Sequence, residues 1–210
     1  MTSQEEFLRR VRDGLLALPD DERTVPVSHR YPRQPAEVST ADRATLVESF
    51  VARLKTLGAE VDRITEPEIA DRVNLVLRVH GATAVTAPDG LPAEWLEYWS
   101  ETEGHQVLPD RPHAATADPV DAVVTTCTGA VADSGTLVLD GGPGQLRRTP
   151  SRVPGCHVCV VRADQIVSSL PEVLDKLDPR RPVTFFGGPS AAATDQDASD
   201  PRQLIVFIVE

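Results

Sequence analysis

The sequence has 210 residues, of which 40% are hydrophobic, and it carries a formal net charge of −11. This length and apolar content predict one globular domain with a sizeable core. The acidity, with no basic cluster beyond short pairs, argues against binding to nucleic acid or to an anionic membrane surface. No apolar run approaches the ~20 residues of a membrane-spanning helix, and the N-terminus lacks a signal-peptide pattern, so we expect a cytoplasmic protein.

The first 39 residues are predicted to be an appendage. Residues 3–18 combine a Ser3–Glu6 capping-box pattern with an apolar stripe, which predicts a helix. Residues 19–39 contain four prolines among charged residues, which favours an extended arm. Such an arm is suited to drape over the body of the protein or over a neighbouring subunit of a homo-oligomer. The main domain is therefore expected to span residues 40–210.

Helices and strands alternate in the first half of this domain, and strands dominate the second half. Periodicity and capping signals predict helices at residues 40–57, from Thr65 to residue 81, at 92–99, and from Asp164 to about residue 177. Strands are predicted at residues 61–64, 82–87, 120–126, 136–139, 157–161, 183–186 and 204–209. This order predicts an α/β fold, a three-layer sandwich with a mixed β-sheet. Trp95, Tyr98 and Trp99 are predicted to share a helix face, more often a core or subunit contact than a ligand platform.

The three cysteines are too few for a secreted disulfide framework. Cys156 and Cys159 form a C-x-x-C pattern, but the segment around them is apolar and β-branched. On a strand, residues three apart point to opposite faces and lie ~10 Å apart. We therefore predict that this pair binds no metal and forms no disulfide, and that Cys159 is a core residue.

Two loops rich in glycine and polar residues frame the predicted strand 136–139. Their glycines do not fit G-x-G-x-x-G, and no Gly-Lys-Ser/Thr follows, so no standard nucleotide loop is present. Backbone N–H groups, hydroxyls and arginines in these loops would suit a carboxylate or a phosphate. The candidate binding residues are Ser134, Gly135, Thr136, Asp140, Gly141, Gly142, Gly144, Gln145, Arg147 and Arg148. The competing interpretation is a pair of tight turns with surface arginines.

The central segment resembles the lactate utilization protein C family, also called the LUD domain. The matching elements are ADSGTLV at residues 132–138, the glycine loop, Arg147-Arg148, Val153-Pro154, HVCVV at residues 157–161, and Gly188-Pro189-Ser190. The resemblance implies that residues 40–210 form a LUD-type domain, with a fold like that of the ribose-5-phosphate isomerase and CoA-transferase superfamily. It also implies a system that oxidises L-lactate to pyruvate with iron–sulfur oxidoreductase partner subunits. Because this chain lacks the clustered cysteines of iron–sulfur proteins, it would be the component without its own cluster.

Lactate oxidation needs a base, an anion clamp and an electron acceptor. Arg147 or Arg148 could clamp a lactate or pyruvate carboxylate, and Asp133 or His157 could act as the catalytic base. His157 also fits a structural histidine at the start of an apolar strand. The family match adds Gly188 and Ser190 to the expected substrate-binding residues. No flavin or nicotinamide fingerprint is visible, so the cofactor is unknown, and no metal site is expected.

Three functions stay open on the sequence. The first is a catalytic or accessory component of lactate utilization that binds a small organic anion. The second is a stand-alone enzyme acting on a phosphorylated or CoA-linked molecule, by analogy with the fold. The third is a non-catalytic assembly or regulatory subunit.

Overall fold

The chain divides into two compact units, Met1–Glu37 and Val38–Glu210. The computed structural model describes residues 40–110, 120–146, 155–188 and 202–210, together with residues 6, 7, 9, 10, 13 and 14 near the N-terminus. Those six residues are helical, in agreement with the helix predicted at 3–18. The predicted arm at residues 19–39 lies outside the described residues.

The described part of the second unit contains four α-helices and ten β-strands. The helices are α1 (Thr40–Thr56), α2 (Ile69–Val79), α3 (Glu94–Ser100) and α4 (Leu170–Leu174). The first five strands are β1 (Glu60–Ile64), β2 (Ala84–Ala87), β3 (Gln106–Pro109), β4 (Ala122–Thr126) and β5 (Gly129–Val131). The other five are β6 (Thr136–Leu139), β7 (Cys156–Arg162), β8 (Ile166–Val167), β9 (Thr184–Phe186) and β10 (Gln203–Val209). Short 3₁₀ turns at Glu66–Glu68 and Ala163–Gln165 follow β1 and β7.

Six parallel strands form the central sheet, in the order β1-β10-β7-β4-β2-β3. Its middle strands read as nearly continuous apolar runs, because a parallel sheet is covered on both faces. One face packs against α2 and α3 through residues such as Val73, Leu77 and Trp99. The other face packs against α1 and the remaining strands, through residues such as Phe50 and Leu137. The predicted α/β sandwich is confirmed.

The remaining strands form a second, four-stranded sheet in the order β8-β5-β6-β9. Here β6 is antiparallel to β5 and β9, whereas β8 is parallel to β5. The mixed strand pairing predicted for one sheet is thus confined to this smaller sheet. A tight turn joins β5 to β6, and such a short connection can join only antiparallel strands.

The cysteines lie where the strand argument predicted. Cys156 packs on the sheet face that meets α2 and α3, whereas Cys159 packs on the opposite face. All three cysteines are free and buried. Burial raises the pKa of Cys156 to about 12, so its thiol stays protonated at neutral pH.

The helix predicted from Asp164 to about residue 177 is wrong in its first half. Asp164 lies in a 3₁₀ turn, and Ile166 and Val167 pair with β5 as strand β8. The helix α4 begins only after Ser169, whose hydroxyl and N–H both donate to the Glu172 carboxylate. Local β-branched residues and a second capping signal therefore override the earlier start.

The predicted aromatic face on α3 is only partly correct. Trp95 and Trp99 are buried in the core, but Tyr98 is 64% exposed. No helix among the described residues is long and apolar enough to cross a membrane.

Candidate functional site

A cavity of about 350 Å³ lies at the carboxyl ends of β4 and β7. Thr126 is the last residue of β4 and Arg162 is the last residue of β7, and both line the cavity. Ligands of open parallel α/β sheets bind outside the carboxyl ends of the strands. The volume also lies within the range of about 300–1,000 Å³ that is usual for small-molecule sites.

Several residues that line the cavity are polar, and hydrogen bonds hold their side chains in place. Thr126, Thr128, Gln145 and Gln165 contribute hydroxyl and amide groups. The Gln165 amide donates to the Cys127 carbonyl at 2.9 Å, and its oxygen accepts the Arg162 N–H at 2.9 Å. The Thr126 hydroxyl donates to the Pro143 carbonyl at 2.9 Å. These polar lining groups are therefore held in fixed orientations by bonds to neighbouring residues.

The rest of the described lining is mostly apolar. Its apolar residues include Gly90, Pro92, Trp95, Pro143 and Val160. Gly90 has φ +85°, and a Cβ added there would lie 2.9 Å from the Pro143 Cβ and 3.1 Å from its Cα. The turn before α3 can approach the loop after β6 this closely only because residue 90 is a glycine. The Gly144 N–H donates to the Asp89 carbonyl at 2.8 Å and fixes the contact.

Arg162 is the only charged residue among the described residues that line the cavity. Its guanidinium binds the Glu66 carboxylate through two hydrogen bonds, Nη1 to Oε2 at 2.6 Å and Nη2 to Oε1 at 2.9 Å. The Glu66 hydrogen bonds raise the pKa of Arg162 further, so the guanidinium is always charged. Both side chains are about half exposed, at 54% and 51%. Arg162 thus lines the cavity and is also open to solvent, while Glu66 is bonded to it from outside the described lining.

The second glycine loop, residues 140–145, is held together by a network of hydrogen bonds among buried and partly buried groups. The Asp140 Oδ1 accepts the Thr128 hydroxyl at 2.7 Å and the Gly142 N–H at 3.0 Å. The Gln145 Oε1 accepts the Asp140 N–H at 2.8 Å, and the Gln145 Nε2 donates to the Thr128 hydroxyl oxygen at 2.9 Å. Arg181 Nη1 lies 3.7 Å from Asp140 Oδ2. These bonds shape the loop, and Gln145 is the predicted site residue that they bring to the cavity wall.

The backbone of this loop uses glycine at two further predicted positions. Gly141 and Gly144 both have φ +70°, a left-handed conformation that favours glycine. A Cβ on Gly144 would also lie 3.0 Å from the Thr126 Oγ1. Both glycines are thus needed for the turn itself.

The first glycine loop lies at the other end of β6. Asp133 and Ser134 are exposed, and the Ser134 and Thr136 hydroxyls are hydrogen-bonded at 2.7 Å. Gly135 and Gly188 both pack against Leu57 near the C-terminal end of α1. Because the four residues of β6 span about 10 Å from first to last, the two loops form separate groups.

The structure therefore brings some predicted site residues together and separates others. Gly135 and Gly188 both lie against Leu57. Asp140, Gly142 and Gln145 are joined by hydrogen bonds within the second glycine loop, and Gln145 is the one of these three that lines the cavity. Arg147, Arg148 and Ser190 lie outside the described residues.

His157 is buried near the amino end of β7. Its ring is 1% exposed, its Nε2 lies 2.7 Å from the Thr125 Oγ1, and Phe186 packs against it edge to face at 5.1 Å. Burial lowers the pKa of His157 to about 4, so the ring is neutral at physiological pH. Its place five residues before Arg162 on an extended strand puts it about 16 Å along the strand from the cavity end of β7.

Sequence reasoning missed several of the residues that line the cavity. Arg162, Gln165 and Thr128 are not among the predicted site residues, Thr126 is predicted only as the end of a strand, and Trp95 is predicted mainly as a core or subunit contact. A signal was present, because polar residues at the carboxyl ends of buried parallel strands mark this edge of the sheet. The described residues contain no cluster of three or more His, Cys, Asp or Glu side chains that could hold a metal.

The fold and the cavity define an α/β protein with a small-molecule cavity at the carboxyl edge of a parallel sheet. The chain belongs to the LUD domain family, whose model matches residues 47–209. The chain is 34% identical to lactate utilization protein C from Deinococcus radiodurans over 178 residues, which cover 80% of this chain and 81% of that protein. The family resemblance seen in the sequence is thus confirmed.

A solved structure of a related protein supports the same family assignment. The crystal structure of a DUF162 family protein from Deinococcus radiodurans matches with a TM-score of 0.64 and 34% sequence identity. The match covers 80% of this chain and 98% of that one.

Proposed function

We propose that this protein is a component of an L-lactate utilization system, which oxidises lactate to pyruvate, and that it binds a small organic acid. The observation that carries the proposal is the 34% identity, over 80% of the chain, to a protein named lactate utilization protein C. The match extends through the main domain rather than through one motif. A shared role in lactate utilization is the simplest account of that extent.

We place the organic acid in the cavity at the carboxyl ends of β4 and β7. The lining combines hydroxyls and amides with the apolar side chains of Trp95 and Val160, a combination that suits a short molecule with polar and apolar groups. The predicted anion-binding loop contributes Gln145 to this wall. Arg147 and Arg148 follow Gln145 within three residues, and they are proposed to act as an additional carboxylate clamp.

We further propose that redox chemistry takes place with iron–sulfur partner subunits rather than on this chain alone. Its three thiols are buried, and the strand geometry separates Cys156 from Cys159. Thiolate ligation of a cluster would oppose the raised pKa values of Cys127 and Cys156. The described cavity wall also holds no carboxylate or imidazole that could take the hydroxyl proton of lactate.

The experiment is thermal unfolding of the full chain with L-lactate, pyruvate, phosphate, CoA or ribose 5-phosphate. A ligand that binds only the folded state at 100 times its Kd adds about 2.7 kcal/mol to the free energy of unfolding. We expect lactate or pyruvate to raise the melting temperature, and Arg147→Ala/Arg148→Ala to weaken that effect. Arg9→Ala/Arg10→Ala, a matched exposed pair in the first unit, should leave the effect unchanged.

The other ligands in this panel decide between the remaining functions. A shift with CoA, phosphate or ribose 5-phosphate alone would replace the proposal with a stand-alone enzyme on a phosphorylated or CoA-linked molecule. No shift with any compound would contradict acid binding and favour an assembly subunit.

A further inference from the structure

We infer that Arg162 is the residue that recognises the carboxylate of the bound acid, and that the Glu66 carboxylate holds the position which the ligand carboxylate takes. The inference rests on the proposed function, because it names the recognition residue of the same cavity. It predicts that ligand binding exchanges one carboxylate for another on a single guanidinium. Glu66 then competes with the ligand carboxylate for Arg162, and this competition lowers the affinity of the protein for the acid.

Charge is the first support for this assignment. Arg162 is the one charged residue among the described lining residues, and it ends a strand at the cavity. A planar guanidinium meets a carboxylate with two parallel hydrogen bonds, and Glu66 already makes both of them, at 2.6 and 2.9 Å. The Glu66 carboxylate therefore displays the geometry that a ligand carboxylate would adopt.

The exchange requires that Glu66 be released at little cost. Both partners are about half exposed, and exposed ion pairs contribute little to stability. The 3₁₀ turn that contains Glu66 is capped by a different residue, since Glu68 Oε2 accepts the Thr65 N–H at 2.7 Å and the Thr65 hydroxyl at 2.6 Å. Glu66 can thus leave Arg162 without opening the turn.

The surroundings of Arg162 define the chemical class of the ligand. The Gln165 side-chain oxygen accepts a hydrogen bond from the Arg162 backbone N–H. Gln145 and Thr126 also line the cavity with polar side chains. These amides and hydroxyls suit a hydroxyl or carbonyl group close to the carboxylate, while Trp95 and Val160 offer an apolar surface for a short carbon chain. The cavity is therefore assigned to short 2-hydroxy or 2-oxo monocarboxylic acids.

The test is calorimetric titration of the full chain with pyruvate and with L-lactate, comparing wild type, Glu66→Gln and Arg162→Gln. Both substitutions break the same ion pair, so they remove the same structural contact. Recognition by Arg162 nevertheless predicts opposite effects on binding. We expect Glu66→Gln to tighten binding three- to tenfold and Arg162→Gln to weaken it at least tenfold.

Two controls sharpen the comparison. Arg63 and Glu210 form a matched exposed pair at 2.6 Å, 45% and 40% exposed, that does not line the cavity. Arg63→Gln should change the affinity for pyruvate and for L-lactate less than twofold. Lactamide, which lacks the carboxylate, should bind wild type and Arg162→Gln equally weakly.

The outcomes separate the inference from the proposed function. If wild type binds pyruvate or lactate and Arg162→Gln binds equally well, the inference is overturned while the proposed function stands. If both substitutions weaken binding to the same extent, the pair is structural and the inference also fails. If neither acid binds wild type or Glu66→Gln, acid binding itself is refuted and the inference falls with it. Tighter binding by Glu66→Gln supports the inference even if Arg162→Gln does not fold.

Discussion

The buried imidazole of His157 makes stability depend on pH. Its pKa is lowered to about 4 by burial, whereas an unfolded histidine titrates near 6.5. As pH falls below about 6.5, His157 becomes protonated in the unfolded chain but stays neutral in the folded chain. The stability contributed by neutral His157 is therefore complete above pH 6.5 and is lost between about 6.5 and 4, by roughly 3 kcal/mol. Urea unfolding at a series of pH values measures this loss.

The matched variant is His157→Gln, which keeps a hydrogen-bonding group toward Thr125. Glu68, Asp121 and Glu172 have lowered pKa values and also destabilise the fold in acid, but they do so equally in both proteins. The difference between wild type and variant thus isolates His157. Equal pH dependence of the two proteins between 6.5 and 4.5 would show that His157 is accessible to protons in the folded state.

At the level of elements, the contact between the turn before α3 and the loop after β6 depends on Gly90. Gly90→Ala adds a Cβ at 2.9–3.2 Å from Pro143 and the Gly144 backbone N, at a φ of +85°. We expect Gly90→Ala to lower the free energy of unfolding by roughly 2–4 kcal/mol, since conformational strain and a clash with the backbone act together. Gly81→Ala is the control, because its φ is +62° but nothing lies within 4 Å.

In the control Gly81→Ala, the free energy of unfolding should fall by only about 1 kcal/mol, which is the cost of the left-handed conformation alone. Thermal or urea unfolding of the two variants gives the comparison. Equal losses would mean that the loop after β6 moves away from residue 90 without cost, and the cavity wall would then be less rigid than the hydrogen bonds indicate.

The elements that the sequence predicted well are those with a strong local pattern. The apolar runs of β7 and β10 and the amphipathic pattern of α1 determine their own structure. Strands β3, β5 and β8 were missed, because they are defined by the strands they pair with, which lie elsewhere in the chain. No local pattern reveals such pairing.

The candidate site could be predicted only in part for a related reason. The two glycine loops are close in sequence but lie at opposite ends of β6, so proximity along the chain did not give proximity in space. The cavity instead collects residues from positions 90 to 165, which only the parallel order of the strands brings together. The backbone roles of Gly141 and Gly144, in contrast, follow from the turn that the sequence indicated.

For the whole molecule, the division between Met1–Glu37 and Val38–Glu210 predicts that the second unit folds by itself. Every buried residue of the three described core clusters lies at or after Val47. A chain of residues 38–210 should therefore unfold cooperatively, with a melting temperature within about 4 °C of the full chain, which corresponds to about 1 kcal/mol. Circular dichroism melts of both chains measure it, and a non-cooperative or strongly lowered melt would contradict this boundary.

The most direct test of a role in lactate utilization is growth of the encoding organism after deletion of this gene. The account predicts loss of growth on L-lactate as the carbon source, with normal growth on pyruvate, the product of the oxidation. Reintroduction of the wild-type gene should restore growth on lactate, and we expect the Arg162→Gln gene to restore it poorly. Unchanged growth of the deletion strain on L-lactate, or equal loss of growth on pyruvate, would contradict the account.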